Sequence, residues 1–272
     1  MKKIIIIWFI TFLLSTLWSD FSGMNNGTRS LGMGNAYSAL GEGEESLFYN
    51  PACTANLDYN ALGLSYQNQY GISDLLNLNM AAILPWQDFS YGMAIQQVNL
   101  LDVYNEDIFY LNIARKFQFN DSQINLGING KYYMVSGDEA DISLDRPFDI
   151  DLGMLYQYKG FHLGYSSRNL MRLGEEKDHM ESSQLIGMAV KWQDLLNLTA
   201  DYEITPSDSF VRLGIELWFY NTFAPRIGFD DKYLTMGFGL RSSWWGFDFG
   251  LKTHEELGTT YRFGFNLKYK EK

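Results

Sequence analysis

The residues able to do chemistry are few and scattered. His162, His179 and His254 lie far apart, with no i, i+4 pair to clasp a metal ion. Ser65 in GLSYQ and Ser166 in GYSSR stand outside any G-x-S-x-G elbow. The one route left to hydrolysis is a serine meeting His162 across strands, as in a barrel lipid hydrolase. Cys53 is the single cysteine, which excludes an internal disulfide or a multi-cysteine metal site, and it reads as a small buried residue. No catalytic, cofactor-binding or metal-binding residue is assigned, and an enzyme is not expected.

Carboxylates gather in three places: Asp102, Glu106 and Asp107; Asp138, Glu139, Asp141 and Asp145; Glu175, Glu176, Asp178 and Glu181. Clusters like these attract Ca²⁺, but none has the spaced, glycine-centred pattern of a dedicated loop. They read as a solvated face. A formal net charge of −11 argues against binding nucleic acid through its phosphates.

Gly27–Ala52, GTRSLGMGNAYSALGEGEESLFYNPA, is glycine-rich without being a phosphate-cradling loop. Gly27, Gly32, Gly34, Ala36, Ala39, Gly41 and Gly43 supply too little side chain for a core of their own. Such a segment packs inside something else, and it is expected to form a hatch within a barrel. Its candidate functional residues are Arg29, Gly32, Met33, Gly34, Asn50, Pro51 and Ala52. The segment is expected to start at the periplasmic mouth, with Asn50-Pro51-Ala52 as a rigid corner delivering the chain to the first strand.

The enclosing elements are legible as strands. From Asn60 onward the apolar period is two: Leu196, Leu198, Ala200, Tyr202 and Ile204 alternate with Asn197, Thr199, Asp201 and Glu203. A helical stripe repeats at three and four, so this parity belongs to strands. About fourteen such runs follow one another, of a length that crosses a bilayer when tilted. The run Leu185–Trp192 is apolar on both faces and leaves its orientation open. The fold expected is all-β, a transmembrane antiparallel barrel of about fourteen strands with an N-terminal hatch in the lumen.

The polar parity of these strands nominates a lumen lining: Asp201, Glu203, Arg212, Glu216, Arg226, Arg241, Asp248 and Arg262, joined by Asn129, Lys131, Asp149, Asp151 and Lys268. Isolated lumen charges carry a desolvation cost, so mixed signs favour pairs that grip the hatch over a selectivity lining. Glu203 is expected to pair with Arg212, and Arg241 with Asp248. Connections around 99–106, 136–146 and 169–181 read as long and external, and the alternate ones as short periplasmic turns. Trp86, Trp192, Trp218, Trp244 and Trp245 fall at the short turns, with Phe117, Tyr158 and Tyr269, as a one-sided aromatic girdle would.

Lys2 and Lys3 precede the apolar run Ile4–Trp18, too short to span a bilayer and typical of a secretory signal. The expected organisation is a signal peptide over 1–19, a hatch segment over 20–58 and an outer-membrane barrel over 59–272.

Thr28, Arg29, Leu31, Gly32, Met33 and Gly34, then Ala36–Leu40, then Leu47 to Ala52, resemble the N-terminal signature of the PorV/PorQ family, related to FadL-type outer-membrane proteins. The run from Arg212 to Phe229 is similar to that family's paired central strands. Two departures stand out: Cys53 follows Asn-Pro-Ala where Gly is usual, and Lys270-Glu271-Lys272 follows Tyr269 where a terminal aromatic is usual. The resemblance implies a fourteen-stranded barrel with a hatch in its lumen, in contact with outer-membrane lipid. FadL relatives pass hydrophobic molecules inward, so the first expectation is hatch-gated transport of small hydrophobic molecules. PorV and PorQ relatives serve type IX secretion, so the alternative is a binding or scaffold component that meets secreted proteins or other secretion components.

Overall fold

The computed structural model describes residues 26–101, 104–137, 147–172, 181–254 and 257–270. The expected signal peptide, most of the acidic clusters and His179 lie outside them. Helix α1 (Thr28–Gly32) and two 3-10 segments (Glu44–Phe48 and Pro51–Asn56) precede fourteen strands. These are β1 (Asn60–Asn68), β2 (Leu75–Trp86), β3 (Phe89–Leu100), β4 (Tyr104–Phe119), β5 (Ser122–Gly137), β6 (Phe148–Tyr158) and β7 (Phe161–Arg168). They continue as β8 (Ser183–Trp192), β9 (Leu196–Ile204), β10 (Ser209–Leu217), β11 (Phe223–Asp230), β12 (Tyr233–Arg241), β13 (Trp245–His254) and β14 (Gly258–Tyr269).

Each strand pairs antiparallel with its sequence neighbours, and β1 closes on β14 from Asn60↔Tyr269 to Asn68↔Tyr261. Closure leaves no unpaired edge, which a sheet surrounded by lipid requires. The outer face is apolar: Leu198, Tyr202 and Ile204 are exposed, while Asn197, Thr199, Asp201 and Glu203 between them are buried inside. In β8, Leu185, Gly187 and Ala189 face inward and Ile186, Met188 and Val190 outward. The inner face is apolar there because the hatch presents small residues, Ser38 and Ala39, against Gly164 and Gly187 of the wall.

One end of the barrel, here the turn end, carries the short connections 87–88, 120–121 and 159–160; the other is the loop end. The expected long connection at 99–106 is instead mostly strand, with β3 and β4 paired as far as Leu100↔Tyr104. Glu106 is buried on the inner face of β4 and is no part of a solvated cluster. Its charge mimics a loop, although the inward row it belongs to continues with Ile108, Tyr110, Asn112 and Ala114.

The hatch fills the lumen. Its buried residues Met33, Tyr37, Leu40, Leu47, Tyr49 and Cys53 join inward-facing Ala61, Ile83, Tyr110 and Leu155 in one core. The segment does not start at the turn-end mouth, as expected. Asn26 bonds Gln96 in β3, and Gly27 meets Arg262 in β14, levels in the loop-end half. From there it winds across the wall to Asn56, which bonds Gln123 and Asn125 near the turn end, before β1 begins.

Candidate functional site

Sequence places Arg29 one residue into α1, a helix too short to stand without support. The support is ionic. Arg29 Nε donates to Glu216 Oε1 at 2.8 Å and Nη2 to Oε2 at 2.5 Å, and Nη2 also lies 2.6 Å from Glu42 of the hatch itself. On its other side Glu216 accepts from Arg226 Nε at 2.7 Å, and Arg226 Nη1 reaches Asp248 at 2.6 Å. A chain of alternating charge thus runs from the hatch through β10 and β11 to β13. Buried charges persist only when paired in this way.

A second set holds the hatch backbone. Asp201 Oδ2 accepts from the N–H groups of Tyr37 and Ser38, both at 2.9 Å. Asn35 donates to Asp230 at 2.9 Å, and Asp230 accepts from Arg212 Nε at 2.9 Å. Arg212 also donates to Glu203 at 2.5 Å, the pairing expected from sequence. Arg262 donates to the Gly27 carbonyl at 2.5 Å and also bonds Gln67.

The glycines of the motif act by what they lack. Gly34 has φ +65°, a conformation L side chains avoid, and its N–H donates to Thr235 Oγ1 at 2.9 Å. A Cβ on wall residue Gly228 would collide with the Gly34 backbone, and one on Gly214 with Met33. A Cβ on Gly32 would lie 3.2 Å from the Gly237 Cα. The two stretches singled out in the sequence, the hatch motif and Arg212–Phe229, are therefore the two sides of one interface.

Asn50 Oδ1 accepts from the Ala52 N–H at 3.1 Å, capping a 3-10 turn whose first residue is Pro51. Asn50 Nδ2 donates to the carbonyls of Ser38 at 2.9 Å and Met154 at 3.0 Å. Pro51 and Ala52 lie where side chains on Gly127 and Gly153 would stand. The corner is thus clamped to the wall before the chain reaches Asn56 and β1.

Two expectations are corrected, and the one route to hydrolysis is not formed. Arg241 does not pair with Asp248: it lies over the Trp218 ring, 3.8 Å from the centroid. Gly237 and Gly239 leave β12 without inward bulk, so Arg226 reaches across it and takes Asp248 instead. Trp218 does not belong to the outer girdle. It is buried, with Nε1 donating to Glu216 Oε2 at 2.8 Å. His162 meets the Ala39 carbonyl at 3.1 Å and Gln157 rather than a serine hydroxyl.

The sequence reading missed Asp230, which shares the inward parity of Arg226, and Lys191, which pairs with Glu42. It also missed the hatch acids. Burial opposes ionisation of Glu42, but Arg29 and Lys191 outweigh it and hold the carboxyl at about 2. Burial and then the charge of Glu45 push Glu44 up to about 7. Burial and Asp248 raise Glu45, which accepts from the N–H groups of Arg29 and Ser30 at 3.1 and 3.3 Å. Among the described residues no three His, Cys, Asp or Glu side chains form a metal-binding group.

A closed fourteen-stranded barrel, apolar outside and stoppered by its own N-terminal segment, has the architecture of an outer-membrane β-barrel. Solved structures share the fold. A TodX deltaS2S3 mutant monoaromatic hydrocarbon channel superposes with a TM-score of 0.62 at 10% identity, covering 91% of this chain and 99% of that one. The CymD monoaromatic hydrocarbon channel gives 0.59 at 13% identity, covering 89% and 96%. The P. putida toluene transporter TodX gives 0.55 at 9% identity, covering 91% and 99%. The family model described as Type IX secretion system membrane protein PorP/SprF matches residues 44–270, and the chain belongs to that family. No curated protein matches it. The expected PorV/PorQ assignment is thereby corrected within type IX secretion. Most of the motif that suggested it, Thr28 to Leu40, precedes the matched residues.

Proposed function

We propose that this chain is a non-enzymatic outer-membrane component of a type IX-like secretion system, working as a binding and scaffold barrel with a closed lumen. In this reading the loop end faces outward and the turn end faces the periplasm. Family membership supports the secretion role. The observation that carries the scaffold role is the grip on the hatch: Arg29, Asn35, Tyr37 and Ser38 are each tied to buried carboxylates of the wall. A gate that opens in each transport cycle would have to break these charge-assisted bonds together.

Passage of small hydrophobic molecules draws support from the shared fold with hydrocarbon channels. A lumen lined by Glu203, Arg212, Glu216 and Arg226 is poorly suited to apolar cargo. Affinity purification of the tagged full chain from crosslinked native membranes tests the reading. It should recover other secretion components. Recovery of none, with fatty-acid uptake by vesicles bearing the protein, would return the function to transport.

A further inference from the structure

At the turn end, hatch and barrel leave a cavity of about 170 Å³ between Tyr59, Trp218, Glu44 and the ends of β12 and β14. Most charges around it are matched. Arg29, Arg226 and Lys191 stand against Glu42, Glu216 and Asp248, and each takes part in at least one ion pair. Two cations are left over. Among the described residues neither Arg241 nor Lys268 makes an ion pair.

Both are nevertheless held. Arg241 Cζ lies over the Trp218 ring, and Lys268 Nζ sits 5.3 Å from the Tyr59 ring centroid. Ring faces fix a cation in place but supply no counter-charge equal to a carboxylate. Glu44 and Glu45 are the nearby acids outside the ion-pair chain: Glu44 is turned against Gly63 of β1, and Glu45 is turned to the backbone N–H groups of Arg29 and Ser30. Two like charges facing one partly dry cavity repel, and a guest anion relieves that repulsion.

We propose that this cavity receives a carboxylate side chain of a partner polypeptide, bound between Arg241 and Lys268. The source of the carboxylate rests on the binding reading above; the chemistry rests on the cavity. Its volume suits one short acidic side chain or a few waters. It lies inside the barrel rim, on the face opposite lipid, which favours a polypeptide over a lipid headgroup. Arg241 and Leu240 also line a wider groove of about 790 Å³ at the same end, with Asn221, Ser242 and Trp245. That groove gives an extended chain room to lie while one acid enters.

The test uses the full chain in detergent at physiological ionic strength, with a capped hexaglutamate peptide as probe and capped hexaglutamine as control. A chain of net charge −11 has no general attraction for polyglutamate, so binding reports a local site. The glutamate peptide should bind and the glutamine peptide should not. The double variant Arg241→Gln/Lys268→Gln should weaken binding by about tenfold or more. Glu44→Gln, which keeps both cations, should bind at least as well as wild type. Folding is checked by heat-modifiable migration, and if the double variant does not fold, Lys268→Gln alone should still weaken binding by about threefold. Equal binding by the folded variant, equal binding of hexaglutamine, or displacement of the peptide by short-chain phosphatidylglycerol overturns the proposal. Retained co-purification alongside failed peptide binding would overturn this inference and leave the secretion reading standing.

Discussion

Arg29 in the hatch and Glu216 in the barrel wall share a two-pronged contact, Nε to Oε1 at 2.8 Å and Nη2 to Oε2 at 2.5 Å. Glu216 also serves Arg226, Trp218 and Asn197, so one wall carboxylate organises four partners. Removing it as Glu216→Ala leaves two buried guanidinium groups short of charge, a loss of about 3–5 kcal/mol. Urea titration of the protein in lipid vesicles should show that drop. Arg29→Met should cost less, and the two together less than their sum, because they break the same contact.

Asn50→Ala removes a cap and two carbonyl contacts from the hatch corner, whereas Leu replaces the fixed φ of Pro51 with a freer one. Both changes should loosen residues 41–56 while the strands stay paired. Limited proteolysis of the folded protein should cut the hatch faster, with heat-modifiable migration unchanged. Unchanged hatch cleavage in both variants would show that the corner does not hold the segment.

Much of this was readable beforehand, and the misses have physical causes. Period two located most of the strands because outward residues must be apolar and many inward ones are polar, whereas β8, apolar on both faces, could not be oriented. The same parity pointed to Trp218, which falls in step with Arg212 and Glu216, yet its residue type suggested a membrane interface. The Arg226–Asp248 bridge was hidden because it skips a strand, and only the inward glycines of β12 make room for it. The entry level of the hatch was hidden because a segment lacking strand or long-helix periodicity carries no sign of its depth.

Glu44 gives the hatch a pH dependence of definite sign. Its carboxyl is raised from 4.5 to about 7, so the folded protein holds a proton that the unfolded chain releases. Its contribution to stability is neutral below pH 4.5, worsens as pH rises through that window and is fully unfavourable above 7. Glu44→Gln should therefore gain stability relative to wild type as pH rises from 5 to 8, measured by urea midpoints at each pH. A constant difference between the two would contradict the shift.

The inside–outside assignment has its own test in β9. Leu198 is exposed on the outer face, and Leu198→Arg should cost about 2–4 kcal/mol of stability in lipid at mid-depth. Thr199 is buried on the lumen side. Refolding into vesicles that tolerated Arg at 198 would invert the two faces.

A lumen closed by a gripped hatch is tested most directly by flux through vesicles bearing the pure protein. Wild type should pass labelled fatty acid and small sugars no faster than protein-free vesicles. Gly228→Val, whose side chain would occupy the place of the Gly34 backbone, should raise leakage by displacing the hatch while the barrel stays folded. Flux through wild type above the protein-free level would contradict the closed lumen.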